Sequence, residues 1–516
     1  MLPCGLGGND ATAQFCRTMT QQSSTQQSPD VVVVGAGLAG LSAALEARNI
    51  GVSVLVLERA PIEERGGNTR FSNGAMRAVY DGIDDIEALV GGLSNSERAR
   101  ADFGSYTRDE YIDDMARITQ FRTDPDLSEL LINRSSETMT WLHKQGVGFL
   151  PLYEWHPAMP DGRIKFSGGS ALETRGGGEG LSEALFAACE RAGIDVAYET
   201  RATGLLTNDG VVAGVKARAK GKQRDIAAKR VILACGGFEA NPEWRTRYLG
   251  PSWELAKVRG SRFNTGDGLR IALEIGAAPF GNWSGCHSAS WDLNAPEVNE
   301  LAFGTVFKRD DYLYGLMVNA NGERFVDEGA DVRAVTYARL GRVILAQPGQ
   351  VAWQIYDAKV AHLVHGEYRT RRAARYAADT LSSLVHKLDG VRHERLLHTI
   401  AEYNRAVPSS PPFDASKKDG RKTTGLTIPK SNWAQTIDTP PFEAYAVTCG
   451  ITFTFGGLKI DTECRVIDDD GAVIPGLYAA GEIVGGIFYF NYPGGSGLMS
   501  AAVFGRIAGA SAARAA

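Results

Sequence analysis

Four residues near the start of the chain have the types and the spacing that binding of a dinucleotide requires: Gly35, Gly37, Gly40 and Glu58. The glycines fit the pattern GxGxxG, in which the first permits a tight turn, the second lets the backbone approach a pyrophosphate, and the third lets a helix pack on a strand. Glu58 follows Gly37 at close to the spacing of about 20 residues expected of a carboxylate that accepts from ribose hydroxyls. This pattern predicts a dinucleotide site, and both FAD and NAD satisfy it.

The segments around these residues have the patterns of a strand, a helix and a second strand. Val31 to Val34 is an unbroken β-branched run, which is typical of a parallel strand buried on both faces. The helix predicted to begin at Gly40 offers unpaired N–H groups and a positive dipole end to phosphate. The second strand, 52–57, ends at Glu58. Ala36, Leu38 and Ala39 lie between these glycines and are also predicted cofactor contacts.

Length and composition favour a multidomain globular enzyme. The chain has 516 residues, 44% of them hydrophobic, and a formal net charge of −5, so two or more domains are expected and nucleic acid is an improbable partner. No apolar run is long enough for a membrane-spanning helix. The 7 cysteines form no CxxC and no cluster with histidine, which argues against a metal site or a disulfide framework and favours the cytoplasm.

Residues 1–29 are polar and rich in Gln and Ser, without the apolar core of a signal peptide. We expect this segment to be a disordered tail, and either Met1 or Met19 fits as the start of translation.

The segment ERAPIEERGGNTRFSNGAMR, directly after the second strand, separates FAD from NAD. It resembles the loop that lies along FAD in the fumarate reductase and succinate dehydrogenase flavoprotein superfamily; a plain Gly/Asn surface turn is the alternative. The resemblance implies that the pyrophosphate side of the loop includes Arg59, Gly66, Gly67, Asn68 and Thr69, and that the flavin side includes Ser72, Asn73 and Gly74. The histidine that carries covalent FAD in some relatives is absent, so the predicted cofactor is non-covalent FAD.

Further motifs of the same superfamily follow in its usual order and extend the resemblance to residues 30–514. They resemble a GGGxGL turn with a later adenine-contacting strand, an ACGGF wall, a TGDG helix start, an AAGE turn and a final Gly-rich turn into the last helix. The cofactor contacts that these motifs imply are Gly177, Gly178, Ala202, Ala234, Gly236, Gly237, Thr265, Gly266, Asp267, Gly481, Glu482, Gly494, Gly497 and Leu498.

The resemblance implies an α/β fold: a Rossmann-type, GR2-like FAD-binding domain, discontinuous in sequence, with an inserted α+β capping domain. We predict that residues 30–279 and 441–516 form the FAD-binding domain. Residues 280–440 lack βαβ spacing and carry aromatic and basic side chains, so they are the predicted capping and substrate domain. The basic side chains of this segment include Lys308, Arg309, Arg333 and Arg369.

Four segments together, ERGGNTRFSNGAMR, CGITFTFGG, PKSNWA and FYFNYPGGSGLM, look most like the FAD-dependent tricarballylate dehydrogenases. This resemblance implies oxidation of tricarballylate, a small polycarboxylate, to cis-aconitate. Fumarate reductases hold their dicarboxylate with a His and an Arg where this chain has Thr452 and Tyr492. A 3-ketosteroid Δ1-dehydrogenase is the alternative enzyme, because of the YPGG element, and a non-catalytic FAD-binding module is the alternative class.

The predicted catalytic residues are Arg333, His287, Tyr492 and Thr452. By resemblance, Arg333 takes the proton opposite the flavin, with Asp331 and Glu328 as its proton path, and His287 binds substrate. The alternatives are a salt bridge on a cap helix for Arg333, a structural role for His287, and packing on the flavin for Tyr492. Arg70 and Arg77 are further candidate carboxylate clamps, or surface charges. The resemblance also implies a membrane-bound electron acceptor with iron–sulfur or haem centres, since none is encoded here, and so a peripheral position at the inner membrane.

Overall fold

The computed structural model describes residues 28–156, 159, 161–166 and 168–516. The predicted disordered tail therefore lies, except for its last two residues, outside the described residues.

The strands of the described residues are β1 (Val31–Val34), β2 (Val54–Leu57), β3 (Ala75–Met76), β4 (Ala101–Asp102), β5 (Phe149–Pro151), β6 (Ile164–Lys165), β7 (Leu172–Thr174), β8 (Asp195–Ala197), β9 (Thr200–Asn208), β10 (Val211–Ala219), β11 (Lys222–Ala227), β12 (Arg230–Leu233), β13 (Lys257–Val258), β14 (Pro279–Asp292), β15 (Leu316–Asn319), β16 (Ala352–Tyr356), β17 (Arg375–Ala378), β18 (Phe442–Leu458), β19 (Arg465–Ile467) and β20 (Val473–Ala479). The helices are α1 (Leu38–Ile50), α2 (Gly67–Arg70), α3 (Ile83–Val90), α4 (Asn95–Arg100), α5 (Arg108–Ile118), α6 (Pro125–Lys144), α7 (Gly177–Arg191), α8 (Pro242–Trp244), α9 (Asp267–Leu273), α10 (Leu340–Leu345), α11 (Leu381–Val385), α12 (His393–Ala406) and α13 (Ser496–Ala515).

A six-stranded sheet in the order β19-β20-β12-β1-β2-β8 forms the centre of the first layer. Strand β1 pairs in parallel with β2 on one side and β12 on the other, and its four valines are buried, as the unbroken apolar run predicts. Helix α1 begins at Leu38, two residues before the predicted start at Gly40. The predicted Rossmann-type α/β fold is confirmed.

Helix α13 packs against α1 through glycines. A Cβ atom on Gly505 would lie 2.4 Å from the carbonyl oxygen of Ala39, and one on Gly509 would lie 2.2 Å from that of Ala43. Only a residue without a side chain allows the two backbones to approach this closely. The end of the described chain is thus fastened to its first helix.

A second sheet carries the cap over the first layer. Its strands β13, β18, β16 and β15 are neighbours in that order, and β14 and β17 also pair with β18. Strand β14 starts at Pro279, where the sequence predicts the cap to begin, whereas β18 starts just after the predicted end of the cap and still pairs with cap strands. The long strand β18 therefore runs from the cap sheet to the edge of the cofactor site.

Among the described residues, no helix combines the length and the apolar character needed to cross a membrane.

Candidate active site

A channel with a cavity volume of about 220 Å³ runs along the carboxyl ends of β1, β2 and β12. Ligands bind at this edge of open α/β sheets, outside the carboxyl ends of the strands. The predicted cofactor contacts that line the channel are Gly35, Ala36, Gly37, Leu38, Ala39, Glu58, Arg59, Gly67, Asn68, Thr69, Ser72, Ala202, Ala234, Gly236, Asp267, Gly481, Glu482, Gly497 and Leu498. Residues from six separate parts of the sequence thus surround one elongated space.

The glycine loop leaves room for a ligand at the N-terminus of α1. A Cβ on Gly37 would lie 3.6 Å from Thr69 Oγ1, an ordinary van der Waals contact, so this channel-lining position is not closely packed. Gly35 has φ +104°, and a Cβ there would lie 2.4 Å from the carbonyl oxygen of Ala234. The first-turn N–H groups of α1 lack helical acceptors and suit a pyrophosphate.

Glu58 holds the shape of this loop. One of its carboxylate oxygens accepts from the N–H of Ala36 at 2.9 Å, and the other accepts from the N–H of Ala60 at 2.7 Å. Burial raises the pKa of Glu58, an effect that these backbone hydrogen bonds oppose. The carboxylate lines the channel at the end of β2, where it can also accept from a ribose hydroxyl.

The adenosine end of the channel has a second charged group. Asp267 accepts from Arg59 Nη1 at 2.9 Å and forms a bidentate pair with Arg201, with contacts at 2.8 and 2.6 Å. Arg59 Nη1 also donates to Thr265 at 2.5 Å. Asp267, the first residue of α9, therefore binds Arg201 of β9 and Arg59, which follows β2, along one wall of the channel.

Ten predicted cofactor contacts do not line this channel, namely Gly40, Gly66, Asn73, Gly74, Gly177, Gly178, Gly237, Thr265, Gly266 and Gly494. Several of them allow backbone segments behind the channel to pack closely. A Cβ on Gly40 would lie 1.9 Å from the Gly35 carbonyl oxygen, and one on Gly178 would lie 1.9 Å from that of Thr69. Asn73 and Gly74 face the neighbouring cavity instead.

The opposite end of the channel is apolar. Phe453, Phe455, Ile487 and Phe488 line it, and none of them was predicted as a cofactor contact. The combination of a phosphate-binding glycine loop at one end and an apolar slot at the other fits a dinucleotide with a large planar ring. No histidine is among the channel-lining residues, and burial raises the pKa of the Cys235 thiol to about 12, so this thiol is protonated at neutral pH.

The carboxyl groups of Glu239 and Glu482 lie close together, and Glu482 lines the channel. The amide Nδ2 of Asn264 donates to Glu239 at 2.7 Å and lies 3.4 Å from an oxygen of Glu482. Asn68 Nδ2 donates to Glu239 as well, at 2.6 Å. Burial raises the pKa of both carboxyl groups, and the charge of Glu239 raises that of Glu482 further.

A smaller cavity of about 90 Å³ adjoins the apolar end of the channel. The residues that line both spaces are Asn68, Ser72, Thr452, Tyr492 and Leu498. All four predicted catalytic residues, Arg333, His287, Tyr492 and Thr452, line this smaller cavity. A substrate in it would lie against the ring of a cofactor in the channel.

His287 lies in an aromatic setting within this cavity. Its ring stacks on Phe453 at 5.4 Å and lies 5.1 Å from the rings of both Tyr337 and Tyr492. Neither ring nitrogen has a hydrogen-bond partner among the described residues. Burial, with a contribution from the charge of Arg259, lowers the pKa of His287 well below 6.5, so the ring is neutral at pH 7 and can donate one hydrogen bond and accept another.

Two tyrosines share a hydrogen bond beside this histidine. The hydroxyl groups of Tyr337 and Tyr492 are 2.5 Å apart. Burial raises the pKa of both residues, so both are protonated phenols at neutral pH. The pair can donate one hydrogen bond into the cavity.

Three cationic side chains line the cavity: Arg259, Lys308 and Arg333. Lys308 has a 4% exposed side chain and contacts Glu154 at 3.3 Å. Arg259 lies over the ring of Trp291 at 5.2 Å, and its Nη1 atom is buried without a hydrogen-bond partner among the described residues. An unpartnered buried guanidinium is costly unless a ligand completes it.

Arg333 lies in a 3₁₀ turn, Arg333–Val335, on the wall between this cavity and a larger one of about 640 Å³. Its Nη1 contacts Asp311 at 3.2 Å, and Asp311 contacts His365 Nδ1 at 2.5 Å. Burial alone would lower the pKa of Arg333, but the charges of Asp311 and Asp310 outweigh it and raise that pKa. Arg333 is therefore held as a cation.

Neither Asp331 nor Glu328, the members of the predicted proton path, forms an ion pair with Arg333 in the described chain. Asp331 pairs with Arg117 at 3.1 Å and with Lys418 at 3.2 Å, whereas Glu328 pairs with Arg324. The acidic partner of Arg333 is Asp311, which precedes the VNANGERFVDE motif.

Several basic residues named from the sequence lie elsewhere. Arg70 pairs with Glu179, and Arg77 is fully buried and donates to the carbonyl oxygen of Gly494 at 2.9 Å, so neither is a carboxylate clamp in this cavity. Arg309 forms a buried ion pair with Asp292, and Arg369 binds Glu443. Of the basic side chains noted in the predicted cap, Lys308 and Arg333 line the cavity.

Sequence reasoning missed Arg259, Asp310 and Tyr337 in this cavity. Arg259 follows β13, before the predicted cap, in a stretch with no recognised motif. Asp310 is part of the run Lys308 to Asp311, in which two basic residues precede two acidic ones, and all four residues are buried. The position of these four charged residues next to aromatic residues in the sequence was the signal that could have identified them as part of a buried site.

Three comparisons with known proteins bear on this arrangement. A family model described as FAD binding domain matches residues 30–498. The probable fumarate reductase Ifc3 of Shewanella frigidimarina is 30% identical over 498 residues, which cover 95% of this chain and 75% of that protein. A 3-oxosteroid 1-dehydrogenase of Mycobacterium tuberculosis is 26% identical over an alignment that covers 94% of this chain and 98% of that protein.

Among solved structures, the open conformation of a flavocytochrome c3 fumarate reductase superposes with a TM-score of 0.70 at 27% identity. That match covers 94% of this chain and 78% of the other.

Proposed function

Because this chain belongs to the FAD binding domain family of flavoproteins, and is an FAD-dependent oxidoreductase acting on CH–CH groups, we propose that it oxidises a small polycarboxylate. The specific reaction that we propose is the oxidation of tricarballylate to cis-aconitate. The observation that carries this proposal is the convergence of Arg259, Lys308 and Arg333 on one small cavity beside the cofactor channel.

Three cations match three carboxylates. Arginine pairs with carboxylate through two parallel hydrogen bonds, and Lys308 adds a point charge. Arg259 Nη1 has no partner within the described chain, so a ligand carboxylate would remove the cost of its burial. Lys308 and Arg333 already pair with Glu154 and Asp311, so Arg259 is the cation that has no ion pair within the described chain. A tricarboxylate can contact all three cations, whereas a dicarboxylate such as succinate leaves one of them without a substrate contact, which gives tricarballylate the advantage.

When bound, FAD supplies the acceptor for the hydride that leaves the substrate. The protein's own residues hold the substrate and keep water away. Thr452 Oγ1 is buried without a partner in the described chain and can donate to a carboxylate oxygen, as can neutral His287. Trp155, Tyr337 and Tyr492 form the aromatic part of the lining. These contacts orient the CH–CH unit towards the wall that cavity and channel share.

The sequence assigns removal of the proton to Arg333, and the ion pair with Asp311 changes that role. A guanidinium whose pKa is raised further keeps its proton at neutral pH, so it is better suited to binding a carboxylate than to acting as a base. We propose that Arg333 holds one substrate carboxylate, with Asp311 and His365 holding Arg333 in place.

A second candidate substrate is a 3-ketosteroid. The hydroxyl pair of Tyr337 and Tyr492 supports it, because a hydrogen-bonded phenol can polarise a ketone, and the Mycobacterium tuberculosis relative is a 3-oxosteroid 1-dehydrogenase. The three cations in a 90 Å³ cavity oppose it, since a steroid needs a wide apolar slot.

The reduced cofactor must pass its electrons on, and we propose that a separate electron-accepting protein at the membrane receives them. The name of the flavocytochrome relative fits an exchange of electrons with haem. The cysteines that the structure describes are free thiols, which suits the cytoplasmic location included in this proposal.

The test is anaerobic reduction of the flavin by candidate substrates. Tricarballylate should bleach the oxidised flavin absorbance of the purified protein, and succinate should do so at least about tenfold more slowly, the scale of one lost charge-assisted contact. Bleaching by a 3-ketosteroid and not by tricarballylate would favour the second candidate. A flavin that no polycarboxylate or steroid reduces would return the chain to the class of FAD-binding modules.

A further inference from the structure

Asp310 is a buried carboxyl group with no described role. It is 4% exposed and lines the substrate cavity, and its Oδ1 atom has no hydrogen-bond partner among the described residues. Buried side-chain oxygens without a partner are uncommon in folded proteins. This oxygen is therefore available to a ligand in the cavity.

Asp310 and Asp311 are neighbours in sequence but differ in their contacts. Asp311 accepts from Arg333 and from both the main-chain N–H and the ring of His365, so it is fully engaged. Asp310 has Arg259, Lys308 and Arg333 near it as charges but forms no ion pair within 4 Å in the described chain. One aspartate positions Arg333, and the other faces the cavity.

Oxidation of a CH–CH unit needs a base as well as a hydride acceptor. Resting on the proposed function, we propose that Asp310 is the general base that removes the proton from the substrate carbon. The proton passes from that carbon to the carboxylate oxygen of Asp310, and the electron pair of the broken C–H bond becomes the second bond of C=C. A hydride leaves the adjacent carbon for oxidised FAD, so one proton and one hydride account for both hydrogens.

The chemistry of the cavity supports this assignment. Burial raises the pKa of Asp310, which brings a carboxylate closer to the range in which a general base works at neutral pH. Arg259, Lys308 and Arg333 oppose that rise, while Asp311 adds to it. Burial, with a contribution from the charge of Asp310, raises the pKa of Tyr312, Tyr337 and Tyr492, and as protonated phenols they do not compete for the proton.

The experiment compares Asp310→Asn with Asp311→Asn in the FAD-loaded protein, using anaerobic single-turnover reduction by tricarballylate. Asp310→Asn should fold normally, because it breaks no hydrogen bond, and should reduce its flavin about 10² to 10⁴ times more slowly. Tricarballylate should bind as tightly or more tightly, measured by perturbation of the oxidised flavin spectrum, because a negative charge is lost beside a polyanion. Asp311→Asn should instead weaken binding, since Arg333 loses its partner.

The pH profile separates a base from a structural residue. In the wild type, the reduction rate should rise with pH as Asp310 loses its proton, and Asp310→Asn should lack that rise. Flavin reduction by Asp310→Asn within threefold of the wild-type rate would overturn the assignment. A wild-type flavin that no polycarboxylate reduces would overturn the proposed function and the base assignment with it, and the two failures differ in whether the wild type reacts.

Discussion

The cofactor channel and the substrate cavity share a wall, but their polar groups differ in whether the protein itself satisfies them. In the channel, Glu58 accepts from backbone N–H groups, and Asp267 binds two arginines. In the cavity, Arg259, His287 and Asp310 each keep a buried polar atom without a partner in the described chain. The carboxylates of the channel are thus held by partners within the protein, whereas the unpaired groups of the cavity offer hydrogen-bonding atoms to a substrate.

Two buried arginines test this difference most strongly. Arg309→Gln should destabilise the protein by about 3–5 kcal/mol, because it leaves the fully buried carboxylate of Asp292 without its ion pair. Arg259→Gln should leave the melting temperature unchanged or higher, since it removes an unpartnered charge, and should weaken tricarballylate binding by about 2–5 kcal/mol. Thermal melting and ligand titration of both variants measure the contrast; equal destabilisation would contradict it.

Two glycines of the same loop give the next largest contrast. Gly40→Ala should destabilise the fold by at least about 1–3 kcal/mol and lower the FAD content, because its Cβ would meet the Gly35 carbonyl oxygen at 1.9 Å. Gly37→Ala should keep the stability of the FAD-free protein, because its Cβ would make only ordinary van der Waals contacts, the nearest at 3.6 Å, and should weaken only FAD binding. Urea unfolding of the FAD-free proteins beside FAD titrations separates the two. Loss of stability in Gly37→Ala would show that the loop packs more tightly than the structure indicates.

The smallest effect concerns His365, which lines the larger cavity and contacts Asp311. Burial would lower the pKa of His365, but the hydrogen bond and charge of Asp311 outweigh it and raise that pKa above 6.5. The protonated form is therefore favoured in the folded state, so this contribution to stability is fully present below pH 6.5 and is lost as the pH rises through the raised pKa.

His365→Gln should accordingly be less stable than the wild type in mildly acidic solution, within about 1 kcal/mol, and should approach it as the pH rises. His386→Gln, at an exposed position, is the control and should show no such convergence. Melting temperatures measured from mildly acidic to mildly alkaline pH decide the matter, and a difference that grows with pH would refute this assignment.

The difference between channel and cavity also explains what the sequence could predict. The shape of the channel depends on backbone geometry, which glycines at set spacings reveal in the sequence. The phosphate loop and the strand before it were therefore predictable. The cavity is built by single side chains from distant segments, which meet only because β18 and β14 bring the cap onto the first layer. Arg259 and Asp310 belong to no motif, and only their shared cavity identifies them.

Proximity along the chain also failed to predict which acidic residue contacts Arg333. Asp331 and Glu328 lie near Arg333 along the chain, but the 3₁₀ turn at Arg333 directs its guanidinium towards Asp311. In addition, β18 starts in the cap sheet and ends beside the cofactor channel, so a domain boundary drawn from composition at 440 fell next to a strand that serves both parts.

The packing of α13 on α1 affects how the protein is made. Strand β1 and helix α1 are made before their partners, because β1 pairs with β12, β12 pairs with β20, and α1 is covered by α13. Pairing between segments so far apart in sequence is slow, and apolar surface stays exposed until it is complete. The nucleotide-binding unit is therefore complete only after β12, β20 and α13 have been made, and until then the valines of β1 lack their cover.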